Sequence, residues 1–230
     1  QTLFCGSLNL LNFSTSSTCT KMANLKYDIV EDNYSPHISA LCKLSILFGM
    51  DSFSYAVVDN QQKIQAYQHY TLDRDANGEL DWAGFLATLH SPREMLTRNY
   101  RSVRAVVASP VFTLVPAQWY RVEEKLTYLQ HLTTPSAQTI VQADVIPGYP
   151  MNAVYEIPNA AQAWLSNLQP EAEFVHCVSA LAPLLRSRLE TPHNVAAYFG
   201  PNRVFIFYFH EGQLVFCNSF SYQTARDALY

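Results

Sequence analysis

The chain has 230 residues, 49% of them hydrophobic, and a formal net charge of −4 with its 15 basic residues scattered rather than clustered. That is enough apolar material for one large or two small cores, which excludes a disordered or fibrous protein. The charge offers no general attraction to nucleic acid or an anionic membrane surface, and no apolar run reaches bilayer-spanning length: Val204 to Phe209 is strand-length and gives way to His210 and Glu211.

Five cysteines, Cys5, Cys19, Cys42, Cys177 and Cys217, are odd in number, widely spaced and form no C-x-x-C pair. They read as reduced core thiols rather than a disulfide framework or zinc site, and the chain reads as soluble and cytoplasmic. Residues 1–21 are rich in Ser, Thr, Leu and Asn, lack a basic start and precede Met22, so they read as a disordered or non-native leader.

Three strands are predicted at Leu44 to Gly49, Ser52 to Asp59 and Lys63 to Leu72, turning at Gly49-Met50-Asp51 and at Asp59 to Gln62. Leu80, Phe85, Leu86 and Leu89 then repeat with a helical period, and the β-branched run Val103 to Ala108 suits a strand buried on both faces. Pro116 is a good first residue for a helix whose Trp119, Val122, Leu126 and Leu129 share a face. Strands at Ala137 to Val145 and Ala153 to Ile157 flank the breaker Pro147 to Pro150. Asn159 is expected to cap a helix striped with Ala160, Ala163, Trp164 and Leu168. Next come a strand, Phe174 to Val178, and a helix, Ser179 to Leu189. A second meander follows at Asn194 to Phe199, Arg203 to Phe209 and Gln213 to Ser221, with turns at Gly200 to Asn202 and Glu211-Gly212 and a final helix at Gln223 to Tyr230. Strands alternating with helices define an α/β protein.

The run Leu44 to Asp59 resembles the first phosphate loop of the actin, Hsp70 and PilM group, whose pattern is apolar-Gly-apolar-Asp-apolar-Gly-small. Tyr198-Phe199-Gly200, with the hairpin Val204 to Phe209 and Glu211 to Phe216, resembles the second phosphate loop. The segments Val154 to Leu168 and Phe174 to Leu185 resemble the elements that close the first half of PilM-like proteins. From Met22 onward the chain is similar to a family of Bacteroidetes proteins with an actin-like ATPase fold and no established activity, most of all at Thr113 to Pro116 and Gly212 to Tyr230. The resemblance implies a duplicated actin-like (ribonuclease H-like) fold with mixed sheets flanked by helices. Residues 22–190 form its first half and 191–230 the start of a second half that is abbreviated or truncated, because family members extend further.

Nucleotide hydrolysis in that group rests on carboxylates that hold Mg²⁺ and on glycine turns that approach the phosphates. In register with the two loops, Leu47 and Tyr198 stand where the group carries aspartates, while Gly49 and Gly200 keep the glycines. Neither leucine nor a neutral phenol suits a hard cation. The resemblance therefore implies a pseudo-ATPase with no catalytic residues and no cofactor, a scaffold acting through a protein partner, with the glycines serving as turn residues. The alternative is an ATP-binding or ATP-hydrolysing protein using ATP with Mg²⁺ on Gly49, Asp51, Ser52, Gly200 and Asn202. In the first reading Asp51, two residues past the glycine, is a solvated turn aspartate.

A third expectation is calcium binding through Asp73, Asp75, Asn77 and Asp81, which follow the opening of an EF-hand loop with Gly78 in sixth place. Position twelve is Gly84 instead of glutamate, and a polar turn before a helix accounts for the same residues. His176 and Cys177 adjoin in a predicted strand and are expected to point to opposite faces. Phe205, Phe207 and Phe209 alternate with Ile206, Tyr208 and His210, as expected of a strand covered on both sides.

Overall fold

The computed structural model describes residues 23–75, 78–89, 95–134, 136–200, 202–224 and 226–227. β2 (Lys43–Phe48), β3 (Ser52–Val58) and β4 (Ile64–Leu72) form the antiparallel meander that the sequence predicts. Period-two alternation buries Leu44, Ile46 and Phe48 of β2 on one face. β5 (Ser102–Val107) joins β2 in parallel and β9 (Glu173–His176) joins β5 in parallel. On the opposite edge β1 (Ala23–Val30) runs antiparallel to β4, giving a six-stranded sheet of order β1-β4-β3-β2-β5-β9. β1 was not among the predicted strands: its Leu25, Tyr27 and Ile29 are exposed at the sheet edge, so burial does little to fix it.

Two helices cover the Phe48 face, α1 (Trp82–Thr88) and α3 (Asn159–Leu168), and they touch one another. Their rings close an aromatic cluster. Phe48 lies 5.5 Å from Phe53 and 5.4 Å from Trp82, and Phe53 meets Phe85 at 5.4 Å and Trp164 at 5.9 Å, all edge to face. α1 is capped by Asp81, whose carboxylate accepts from the Gly84 N–H. Asn159, expected to cap α3, is instead its first residue after Pro158, and its amide donates to Ala137 O at 3.3 Å. α4 (Cys177–Arg186) lies toward the opposite face, beside Leu47 and Val106.

A second, antiparallel sheet of order β6-β8-β7 comprises β6 (Phe112–Pro116), β8 (Met151–Pro158) and β7 (Thr139–Val145). Pro116 ends a strand rather than opening a helix, and the helical segment is short, a 3₁₀ turn at Val122–Glu124 followed by α2 (Lys125–Gln130). Only Leu129 of the expected stripe is buried, against Val115 and Val154, while Trp119 is 67% exposed and Val122 and Leu126 also face solvent.

The second meander is as predicted, β10 (His193–Phe199), β11 (Arg203–His210) and β12 (Gln213–Ser221), in an antiparallel sheet. Glu211 and Gly212, with φ of 49° and 73°, form its tight β11–β12 turn. Phe205, Phe207 and Phe209 are fully buried toward the core, with Phe205 5.7 Å from Phe112. The opposite face, expected to be covered, leaves Val195, Phe199, Phe216 and Phe220 exposed. Half of the final predicted helix, residues 225 and 228–230, lies outside those described, and its described residues 223, 224, 226 and 227 form bends and a turn rather than an α-helix. Among the described residues no helix is long and apolar enough to cross a membrane.

The aromatic cluster predicts a sharp contrast in denaturant unfolding. Phe53→Ala should cost about 3–5 kcal/mol, whereas Trp119→Ala, despite its sequence spacing, should stay within about 0.5 kcal/mol; equal losses would contradict the core described.

Candidate functional site

The two glycine turns are brought together, and their backbone is already engaged. The Gly49 N–H donates to Ser52 O at 2.8 Å and the Gly200 N–H to Arg203 O at 2.7 Å, so each amide closes its own turn. Met50, 7% exposed, reaches across from the first turn, and its methyl lies where a Cβ on Gly200 would be. A Cβ on Gly49 would likewise strike Ser52 Oγ. Both glycines thus sit in close packing within this chain, where a Cβ would force Met50 or Ser52 to shift.

Asp51 is not a solvated turn residue. Its carboxylate forms an ion pair with Arg74, which also donates to Met50 O at 2.9 Å and Gly78 O at 2.7 Å. Arg74 therefore ties the first turn to the 73–81 loop. In the second turn Asn202 O accepts from the Tyr222 N–H at 2.9 Å, the Tyr222 hydroxyl donates to Gly200 O, and Asn202 Oδ1 is buried without a hydrogen bond among the described residues.

Leu47 and Tyr198, where the resemblance places aspartates, line one hollow of about 330 Å³. Its other walls include Ser45, Ala56, Val106, Cys177 and Leu181, and among the described residues no carboxylate lines it. Such a surface offers no carboxylate to replace the water shell of Mg²⁺.

The acidic residues of the 73–81 loop serve local structure. Asp73 accepts from Asn24 at 3.4 Å, Asp75 Oδ1 accepts from the Glu79 N–H at 2.8 Å, and Asp81 caps α1; Asn77 lies outside the described residues. Among the described residues no group of three or more His, Cys, Asp or Glu side chains is placed to hold a metal ion.

His176 and Cys177 do not diverge as expected, because β9 ends at His176 and α4 starts at Cys177. His176 caps α4, its Nδ1 accepting from the Val178 N–H, and Cys177 Sγ lies 4.0 Å from Nε2. With Nδ1 as acceptor, Nε2 carries the proton and donates to Ser109 O at 2.9 Å. It cannot also take a thiol proton. Burial holds His176 down to about 4 and pushes the Cys177 thiol well up, so neither group is activated.

Beside them Asp144 accepts from the His176 N–H at 3.1 Å, and Tyr155 and Ser179 lie against its carboxyl. Burial raises Asp144 to about 6 against the hydrogen bonds that favour its charge. Sequence reading missed Asp144 because only the chain crossing between β7, β8 and α4 assembles its surroundings. It also missed Met50, for which no local pattern exists.

This geometry has relatives. The chain matches, over residues 31–230, the family described as Protein of unknown function (DUF3822). It belongs to that family. A crystal structure from Bacteroides thetaiotaomicron, described as a protein with actin-like ATPase fold and unknown function, superposes with a TM-score of 0.75 at 22% identity, covering 86% of this chain and 76% of that one. The fold is therefore actin-like. A type IV pilus biogenesis complex of PilM and PilN matches with a TM-score of 0.48 at 15% identity, over 78% of this chain and 61% of that one. The ethanolamine utilization protein EutJ from Carboxydothermus hydrogenoformans matches at 0.42 and 12% identity, over 87% and 57%. Among curated proteins none matches the chain.

Folded Asp144 keeps its proton up to about pH 6, while the unfolded carboxyl releases it near the ordinary 3.8, so between these values the folded chain binds the extra proton. Its contribution to stability is present below that window and is lost as pH rises through 6. Comparing wild type with Asp144→Asn by chemical denaturation, the difference should shift toward the wild type by on the order of 2 kcal/mol as pH falls from about 7 to about 4. A pH-independent difference would contradict the burial of this carboxyl.

Proposed function

We propose that this DUF3822 protein is a non-catalytic actin-like module, a cytoplasmic scaffold that works through contacts with a protein partner and neither hydrolyses nor requires nucleotide. The observation that carries this reading is the meeting of Leu47 and Tyr198 in a hollow with no carboxylate among its described lining residues. Phosphoryl transfer in this fold needs a metal clamp on the phosphates and backbone donors free to approach them. Here the positions that would hold the metal are apolar or phenolic, Met50 sits against the second glycine, and both glycine amides are committed within their turns.

The free thiols Cys42, Cys177 and Cys217 fit a reducing compartment. The aromatic outer face of β10–β12 and the exposed Trp119, Val122 and Leu126 offer apolar surface of the kind that protein contacts use.

A ligand that binds only the folded state raises its melting temperature by mass action. Thermal-shift and calorimetric titrations with ATP, ADP and GTP, each with and without Mg²⁺, should therefore show no shift at millimolar nucleotide. A Mg²⁺-dependent shift would overturn the reading and point to Asp51, Ser52 and Asn202 as an unfamiliar phosphate site.

A further inference from the structure

On the other face of β2 the chain builds a second and larger recess. It opens beyond the carboxyl ends of β2 and β5, between residues 73–75 and 78–81, α1, the start of α3 and the strands β7 and β8, with a volume of about 1110 Å³. In open α/β sheets this is the end at which ligands are taken. Phe48, Trp82 and Phe85 of the aromatic cluster stand along one wall, and Asp73, Asp75, Glu79 and Asp81 stand along the rim. Arg74 is the cationic side chain among the described lining residues, and it is paired with Asp51.

Surface acids alone specify nothing, but Glu156 is a different kind of group. It comes from β8, a strand otherwise apolar from Ala153 to Ile157, lines the recess, and is 8% exposed. Thr139, whose hydroxyl also donates to Ser136 O at 3.0 Å, and the Ser136 backbone favour its charged form, while Oε1 is buried with no hydrogen bond among the described residues. Burial raises its pKa, the ordinary response of a carboxylate short of partners. Leaving a charged acceptor buried and half satisfied is costly, and one donor from a ligand would remove the cost. An anion has the opposite complementarity: it would meet five carboxylates and a guanidinium already engaged.

We propose that this recess binds an organic cation, an ammonium or guanidinium group on an alkyl stem, with the charged head donating to Glu156 and the stem lying along the aromatic wall. The rim acids raise the local concentration of cations, and the aromatic wall suits both the stem and the charge. The head group has two possible sources, a free alkylamine or a lysine or arginine side chain of another polypeptide, which share this chemistry. The recess shares no lining residue with the Leu47–Tyr198 hollow but reaches the first glycine turn at Gly49 and Met50, so the Trp82 resonance, and not the nucleotide titrations above, decides this assignment.

The test is calorimetry and NMR on the whole chain with n-butylammonium, with the tripeptides Ala-Lys-Ala and Ala-Arg-Ala blocked at both ends, and with the blocked citrulline tripeptide as a neutral isostere of arginine. The cations should bind, more weakly as salt is raised, and should move the Trp82 indole resonance while leaving that of Trp164 in place. The citrulline peptide should not bind. Glu156→Gln, checked for folding by circular dichroism, should weaken binding about tenfold to a hundredfold, the loss expected of one charge-assisted hydrogen bond. Tighter binding of the tripeptides than of n-butylammonium identifies a polypeptide side chain as the source, and the reverse order identifies a free amine. Binding of the citrulline peptide as strong as that of the arginine peptide, unchanged affinity in Glu156→Gln, or no response of Trp82 to any cation at millimolar concentration would overturn the proposal. The Trp82 readout uses the wild-type chain and so stands even if the variant fails to fold.

Discussion

The register of β2 decides which side chain enters which compartment. The strand is paired on both edges, antiparallel to β3 and parallel to β5, so it cannot slide without breaking two ladders. In this register Phe48 enters the aromatic cluster with Phe53 and Trp82, while Leu47, one residue earlier, faces the hollow shared with Tyr198. A shift of one residue would exchange them. The turn that follows, Gly49 to Ser52, inherits its place from that register, and through Met50 it sets the seat of the second meander at Gly200.

Two chemically opposite spaces result on either side of one strand. The hollow beside α4 is apolar where the wider fold group, by resemblance, keeps acids, and the recess beside α1 and α3 is acidic around a buried, half-satisfied glutamate. Arg74 braces the acidic recess against the first turn. It grips Asp51, Met50 O and Gly78 O together, fixing the rim of the acidic recess to the turn whose methionine closes on Gly200.

The two meanders were legible because glycine turns and period-two patterning coincide with burial on at least one face. β1 was not, since its apolar side chains stay exposed at an edge, and β6 was not, since Pro116 carries the same local signal at the end of a strand as at the start of a helix. The stripe Trp119, Val122, Leu126 shows that helical spacing establishes a shared face and not its burial; only Leu129 meets the core. At the site, Gly49 and Gly200 could be singled out as paired turns, but what fills the space between them comes from a side chain with no motif. Glu156 did leave a trace in the sequence, a single acid within the otherwise apolar run Ala153 to Ile157, and a charge in such a strand asks for a partner.

The most direct test of the account is paramagnetic NMR with Mn²⁺-ATP, in which manganese broadens resonances near any bound metal. No selective broadening of the Leu47 methyls, the Tyr198 ring or the Gly49 and Gly200 amides is expected beyond that caused by free Mn²⁺. Selective loss of those signals, reversed by excess Mg²⁺-ATP, would place a metal–nucleotide complex between the two turns and contradict it.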